Sequence, residues 1–430
     1  LRETGALVLF PHALAEAGRL VASVRKHPDV LAAEVAGSVR RRREVIRDID
    51  LVAACRASPT RVAASIARVP GVKEVVGGGG RTLTIRYVDG TLLDLHCVRP
   101  EQFAVALWRA TGSAEHVTEV LAHAATRGLA VVDDELRDVA TGAALPTRNE
   151  EAFFEALGLQ YVPPELREAR GEVEAAGRGE IPPLVALDDI RGVLHCHSQY
   201  SDGAASVAEM ARAAQARGWG YLGISDHSES AFYAGGLKRD DVLRQHDEID
   251  EVNAELGPDF RVLKGIEADI LPDGRVDYDD GLLGRFDYVI GSIHSRFGMG
   301  EAEMTARVLR ALDDPHLTIL GHPTGRLLLT REPYAIDMEA VIERAGETGV
   351  AIELNADPHR LDLDWRLCRR AKERGVLVEI GPDAHSTHGL DNVAIGVGIA
   401  RKGWLERGNV LNAMDVDEVL GRAALRRSRA

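Results

Sequence analysis

From Gly192 to Asp383 the chain repeats one pattern seven times: a short run that is apolar on both faces, closed in most cases by a histidine or a carboxylate. The runs are GVLH, YLGISD, RVLKGIE, YVIGSIH, LTILGH, VAIELN and VLVEIGPD, and segments of helical periodicity such as SVAEMARAAQARG and DMEAVIERAGETG lie between them. Runs without polar alternation read as strands buried on both faces, and helical crossovers make such strands parallel. Seven of them suggest a barrel, although periodicity alone leaves a doubly wound sheet open.

The polar residues that close the runs sharpen this reading. His195 and His197 close the first run, with Asp202 just beyond, and Asp226 and His227 close the second. Glu267, His294 and His322 end the third, fourth and fifth, and Asp383 and His385 follow the seventh. In a parallel β/α barrel all C-terminal strand ends open on one face, where such folds build their sites. Nine metal-type ligands are therefore expected to meet: His195, His197, Asp202, His227, Glu267, His294, His322, Asp383 and His385. By contrast, His246, His316, His359 and His388 fall on helices and loops and read as surface or locally bonded histidines, and Cys196 reads as core. Imidazole and carboxylate without thiolate suit Mn²⁺, Fe²⁺ or Zn²⁺. Nine ligands exceed the needs of two ions, so three ions with a bridging carboxylate are expected. Such a centre points to phosphoester hydrolysis. Arg326, in GHPTGR, is a candidate phosphate clamp, and a structural pairing with a carboxylate weighs about equally. Asn355 and Arg360 either line the mouth or order a loop.

At 430 residues the chain can hold two or three domains, and its 45% hydrophobic and 28% charged content is ordinary for globular proteins. No run is long and apolar enough for a membrane span, and none reads as a signal peptide. The four cysteines are scattered without Cys-x-x-Cys spacing, which fits a reducing cytoplasm. Net charge is −15, but residues 1–180 carry 23 Lys+Arg against 25 Asp+Glu, leaving 29 against 42 in residues 181–430. Bound cations would offset that acidic excess, so it argues only weakly against a phosphate substrate. The chain opens on Leu1, not Met, and an N-terminal portion is expected to precede it.

A second signature lies in the first half. In AGSVRRRREVIRDIDLV, Asp48 and Asp50 are two apart at the start of an apolar run, and Asp94 sits within TLLDLHCV, a strand that could pair beside it. Three convergent carboxylates suit a two-metal phosphoryl-transfer site. Gly37 and Ser38 offer close backbone approach and a hydroxyl, and the run Arg40 to Arg43, Arg41 among them, supplies positive charge. The stretch PPELREARGEVEAAGRGEIPP, Pro163 to Pro183, reads as an exposed, helix-biased connection.

These features resemble two known families. The nine ligands from Ile190 to Leu420 resemble the PHP family (polymerase and histidinol phosphatase), which implies a distorted (β/α)7 barrel with a trinuclear Mn²⁺ and/or Zn²⁺ centre. By that likeness His195, His197, Glu267 and Asp383 hold one ion, Glu267 bridges to a second held with His294 and His322, and Asp202, His227 and His385 hold the third. The Gly-Ser turn with Asp48, Asp50 and Asp94 resembles the palm of the nucleotidyltransferase superfamily, most closely the family X DNA polymerases, and implies Mg²⁺ or Mn²⁺ there. PEQFAVALWRATGSAEHV resembles the start of their thumb. The resemblance implies an α/β multidomain chain: end of fingers 1–25, palm 26–100, thumb 101–162, linker 163–184 and PHP barrel 185–430. Lyase and helix-hairpin-helix modules usual in the family are not in this chain. Arg109 and Ala110 stand where members usually carry Tyr-Phe, Val117 where they carry Asn, and His96 where Arg is common.

The expected function is DNA repair in the cytoplasm, at the nucleoid. The barrel would act as a 3′-5′ exonuclease and phosphodiesterase, with AP endonuclease and 3′-phosphatase as further candidate activities. The palm, with dNTP as its candidate ligand, would be a weak gap-filling polymerase, and gapped or 3′-ended DNA would be the partner. The alternatives are a small-molecule phosphatase of the histidinol-phosphate type with a relic palm, and a DNA-binding scaffold.

Overall fold

The computed structural model describes residues 7–428, so the first six residues of the expected fingers segment lie outside it. The chain folds as two units, Leu1–Pro182 and Pro183–Ala430. Among the described residues no helix is long and apolar enough to cross a membrane.

The first unit is built on a five-stranded sheet in the order Val30–Val35, Ile49–Cys55, Leu92–Val98, Thr82–Tyr87, Val72–Gly79. Ile49–Cys55 and Leu92–Val98 run parallel, with Asp50 directly opposite Asp94. The helix Phe10–Arg25 starts with Pro11 in its first turn, where a missing N–H costs nothing. It buries Phe10, Ala13, Ala17, Leu20, Val21 and Val24 at three- and four-residue spacing. A second helix, Phe103–Thr111, packs against Ile49–Cys55 and sinks Trp108 completely, its ring 4.5 Å from Phe153. Full burial of a large apolar side chain such as Phe153 contributes about 1.5–3 kcal/mol.

The stretch expected to be an exposed linker differs from that expectation. Arg167 is fully buried, its Nη1 2.5 Å from Glu150, and Glu172 is buried 2.6 Å from His116. Ile181 is clipped to the Gln160 side chain by bonds of 2.9 and 3.0 Å. Its Glu and Arg residues look solvated in sequence because their partners lie far along the chain.

The second unit is a seven-stranded parallel sheet whose strands follow chain order: Gly192–Val193, Tyr221–Ile224, Arg261–Asp269, Tyr288–Ser292, Ile319–Leu320, Ala351–Asn355 and Val378–Gly381. There is no reversal of order, as a doubly wound sheet would require. The first and last strands meet just beyond their ends, where His197 N donates to Ala384 O (2.9 Å) and Ala384 N to His195 O (3.2 Å), so the sheet nearly closes into a barrel. The seam therefore includes His195 and His197, two of the expected ligands. Helices cover the outside, and the sequence marks their starts: Ser206 and Glu209 cap Val207–Ala216 reciprocally.

Candidate metal centres

The barrel brings all nine expected ligands to one end. Three sets place their ligand atoms within 4.8 Å of one another: His197, Asp202, His227 and His385; His195, His197 and Asp383; and His227, Glu267 and His294. Glu267 joins them. Its Oε2 lies 3.0 Å from His227, 3.5 Å from His195 and 3.7 Å from His197, and its Oε1 lies 3.0 Å from His322 and 3.3 Å from His294. Ligands bound at about 2.1 Å to a shared ion stand roughly 3 Å or a little more apart. Each oxygen of Glu267 thus faces its own group of histidines, as a bridging carboxylate must. The donor set fits divalent ions on a second ground. His195 Nε2 and both ring nitrogens of His197 are buried without a hydrogen-bond partner. Orphaned buried imidazole nitrogens are costly unless something binds them.

Electrostatic pairing works against burial throughout this cluster. Burial works to keep these imidazoles neutral, but Glu267 and Asp202 raise His227 to about 10. Against the same burial, Glu267 and Asp269 raise His294 to about 9, and Asp202 and Asp383 raise His385 to about 9. Burial also opposes ionisation of Glu267 and Asp383, yet the surrounding histidines hold both well below the usual carboxylate range. His322 goes the other way: burial and the Arg360 charge push it down to about 3. Metal binding needs these imidazoles deprotonated, so affinity for divalent ions would fall as pH is lowered.

Three carboxylates that sequence reading did not single out as ligand supports hold the site in place. Glu353 Oε1 takes His195 Nδ1 at 2.5 Å and its Oε2 accepts the His322 backbone N–H at 2.5 Å. Asp269 Oδ1 lies 2.7 Å from His294 Nδ1. Fixing the outer ring nitrogen sets the tautomer and leaves the inner one free to ligate. Asp226 is not a ligand: it accepts from Ser198 N at 2.8 Å and Ser198 Oγ at 2.5 Å, and so shapes the loop carrying His197 and Asp202. A charged residue inside a run buried on both faces, as Glu353 is in AIELN, was the available signal. His246, expected at the surface or in a local bond, is buried edge-on against Phe286 at 5.0 Å.

Arg326 does not serve as a phosphate clamp. Its Nε donates to Arg360 O at 3.0 Å, its Nη1 pairs with Asp364 at 2.8 Å, and its Nη2 donates to Leu361 O. A guanidinium spent on two carbonyls and a carboxylate holds the 360–364 loop, and the sequence spacing could not reveal that loop as its neighbour. The loop instead delivers Arg360, whose Nε is 3.4 Å from Asp383 Oδ2 with the side chain 20% exposed. Asn355 Nδ2 donates to the same oxygen at 2.9 Å.

In the first unit Asp48 lies just ahead of Ile49–Cys55, and Asp50 and Asp94 are side by side on adjacent strands. Burial, Asp48 and Asp94 together push Asp50 up to about 7, while Arg41 opposes them. Burial and Asp94 also raise Asp48. The trio is looser than the barrel site: among the described residues every set of ligand atoms within 4.8 Å of one another is in the barrel. Gly37 (φ 59) is required where it stands, since a Cβ there would collide with the Asp50 carboxylate. The Ser38 hydroxyl beside it is buried without a hydrogen-bond partner.

The arginine run is not an open phosphate stripe. Arg40 grips Glu150 with both nitrogens at 2.9 and 2.6 Å. Arg41 bonds Glu168 at 3.0 Å and Thr111 O at 2.6 Å, so it reaches Asp50 through its charge alone. Arg43 stands 3.5 Å from Glu168, and Arg42 lies over the Phe10 ring. Two of the residues that depart from the family pattern, His96 and Arg109, share a partner. His96 Nε2 and Arg109 Nη1 each lie 3.0 Å from the buried Asp134 carboxylate, and Arg81 reaches it at 2.9 Å.

Comparison with known proteins accounts for both units. The family model for the DNA polymerase beta thumb matches residues 106–168, and that for the PHP domain matches residues 194–357. A DNA polymerase/3′-5′ exonuclease PolX of Bacillus subtilis is 40% identical over 386 residues, covering 89% of this chain and 67% of the relative. A probable phosphatase of Syntrophotalea carbinolica is 32% identical over 170 residues, 38% of this chain and 64% of its own length. One from Thermoanaerobacter sp. is 27% identical over 242 residues, 52% and 91% respectively. The phosphatases match a part of the chain, whereas the polymerase matches thumb and barrel in one alignment. The chain therefore belongs to the family X DNA polymerases that carry a PHP domain.

Proposed function

We propose that the barrel is a metal-dependent 3′-5′ exonuclease and phosphodiesterase acting on DNA ends, and that the first unit holds the same DNA and extends gaps slowly. The observation that carries the reading is Glu267, with one oxygen toward His195, His197 and His227 and the other toward His294 and His322. Mn²⁺ and/or Zn²⁺ bound there would supply a nucleophilic water near neutral pH and offset charge on the phosphoryl and leaving oxygens. The protein's own part is to hold the histidines in the ligating tautomer through Glu353 and Asp269 and to keep Arg360 beside Asp383 as a cation for the phosphate. In the first unit Asp48, Asp50 and Asp94 would hold Mg²⁺ or Mn²⁺, with the Gly37–Ser38 turn toward a dNTP phosphate. Slow incorporation fits the commitment of Arg109 and His96 to Asp134, which ties up the positions where nucleotide contacts are usual. A DNA-repair role at the nucleoid follows from that substrate.

The small-molecule phosphatase reading explains the barrel and leaves the first unit idle. The two are separated by giving the full chain, with Mn²⁺, a 3′-tailed oligonucleotide and histidinol phosphate in parallel. Release of mononucleotides from the 3′ end, blocked by EDTA, is expected. Hydrolysis of histidinol phosphate with no attack on the oligonucleotide would reverse the assignment.

A further inference from the structure

The most exposed large apolar side chain among the described residues is Phe232, 85% exposed, and its neighbour Tyr233 is 61% exposed. Both sit in the turn Phe232–Ala234 that follows the second barrel strand and its ligand His227. The Tyr233 ring centroid is 6.4 Å from His227 and 6.3 Å from His294, and Phe232 packs edge-on against it at 6.1 Å and 78°. Two large rings thus stand in solvent beside ligands that serve different oxygens of Glu267.

The turn is built rather than loose. Ser228 N donates to Glu267 O at 3.0 Å, Ala231 N to Ser228 O at 2.9 Å, and Leu237 N to His227 O at 2.9 Å. Ser230 N donates to Asp277 Oδ2 at 2.9 Å. Gly236 lets the chain close on itself, since a Cβ there would strike Ser228 O. Holding Phe232 in water costs free energy, and an aromatic pair kept there next to a catalytic centre calls for a flat apolar ligand. Flat rings exposed beside a phosphodiester-cleaving centre match a nucleobase at the end of the chain being cut.

We propose that Phe232 and Tyr233 form a stacking platform for the terminal base of a single-stranded 3′ end, selecting polynucleotide ends over small phosphate esters. The proposal rests on the reading of the barrel as a DNA phosphodiesterase and names the part of the substrate that the metal ligands do not see. Phe232 touches no ligand, so its ring can be removed without disturbing the centre, and Tyr233 acts through its ring and not its hydroxyl.

The test uses the full chain with Mn²⁺ and two oligonucleotides, one ending in an ordinary 3′ nucleotide and one in a tetrahydrofuran abasic nucleotide, with kcat/KM read for the first cut. The base-ended substrate should be favoured by roughly 10-fold in the unmodified protein, and Phe232→Ala should bring that ratio to within about twofold of one. Phe232→Trp should restore the ratio, and Tyr233→Phe should retain it. A ratio near one in the unmodified protein, or one unchanged by Phe232→Ala, overturns the platform while leaving the exonuclease reading intact. Failure to cut either oligonucleotide, with histidinol phosphate hydrolysed, overturns both.

Discussion

The two candidate metal centres solve the same electrostatic problem differently. The barrel gathers six histidines around three carboxylates, and this pairing raises His227, His294 and His385 while it lowers Glu267 and Asp383. The first unit sets Asp48, Asp50 and Asp94 together against the charges of Arg41 and Arg47, and Asp50 is still pushed up to about 7. A mixed set can stay compact through its own ion pairs. An all-carboxylate set repels itself and is completed only by the ions it binds. The barrel's groups should therefore hold one another in place more strongly than the aspartate trio does.

The largest expected effect tests the barrel half of that contrast. Glu267→Ala should cut oligonucleotide hydrolysis on the order of 10⁴-fold, about 5 kcal/mol of transition-state stabilisation. Elemental analysis should show more than one equivalent of metal lost, since two histidine groups share this carboxylate. A variant with normal metal content would remove the bridging role.

Asp50→Asn tests the other half, by thermal unfolding of the full chain in EDTA. The folded Asp50 binds its proton up to about 7, against 3.8 for the free side chain. The native state thus holds more protons than the unfolded one across this window, so the wild-type protein loses stability as pH rises through it. The loss from this group is on the order of 4 kcal/mol. Asp50→Asn should be nearly neutral near pH 4 and increasingly stabilising toward pH 8, and added Mg²⁺ or Mn²⁺ should shrink the difference. A pH-independent difference would mean that the trio does not repel itself.

A smaller effect is expected from Glu353→Gln, which keeps an acceptor for His195 but removes the charge behind it. Metal affinity of the barrel, read by chelator competition, should fall roughly 10- to 100-fold. Unchanged affinity would show that Glu353 only packs.

The convergence of the nine candidate ligands was legible because each sits at or just beyond a strand end, a position that apolar runs mark in one dimension. Glu353 and Asp269 carried weaker signals: a charge within a doubly buried strand, and a carboxylate two residues from Glu267 on the same face. Arg326 and Arg360 lie in different loops, and nothing in either motif tells which guanidinium is consumed by the other's backbone. The arginine run misleads for the same reason, as its partners Glu150 and Glu168 are more than a hundred residues away.

By itself the sequence determined that seven buried strands alternate with helices, which residue types close them, and that three aspartates accompany a Gly-Ser turn. Periodicity and strand ends are local properties of the chain. Only the tertiary structure decided that the barrel closes through His195, His197 and Ala384, that Glu267 faces two histidine groups, and that the basic run is internal glue. Charge pairing depends on which distant residues folding brings within a few ångströms, and no local pattern encodes that distance.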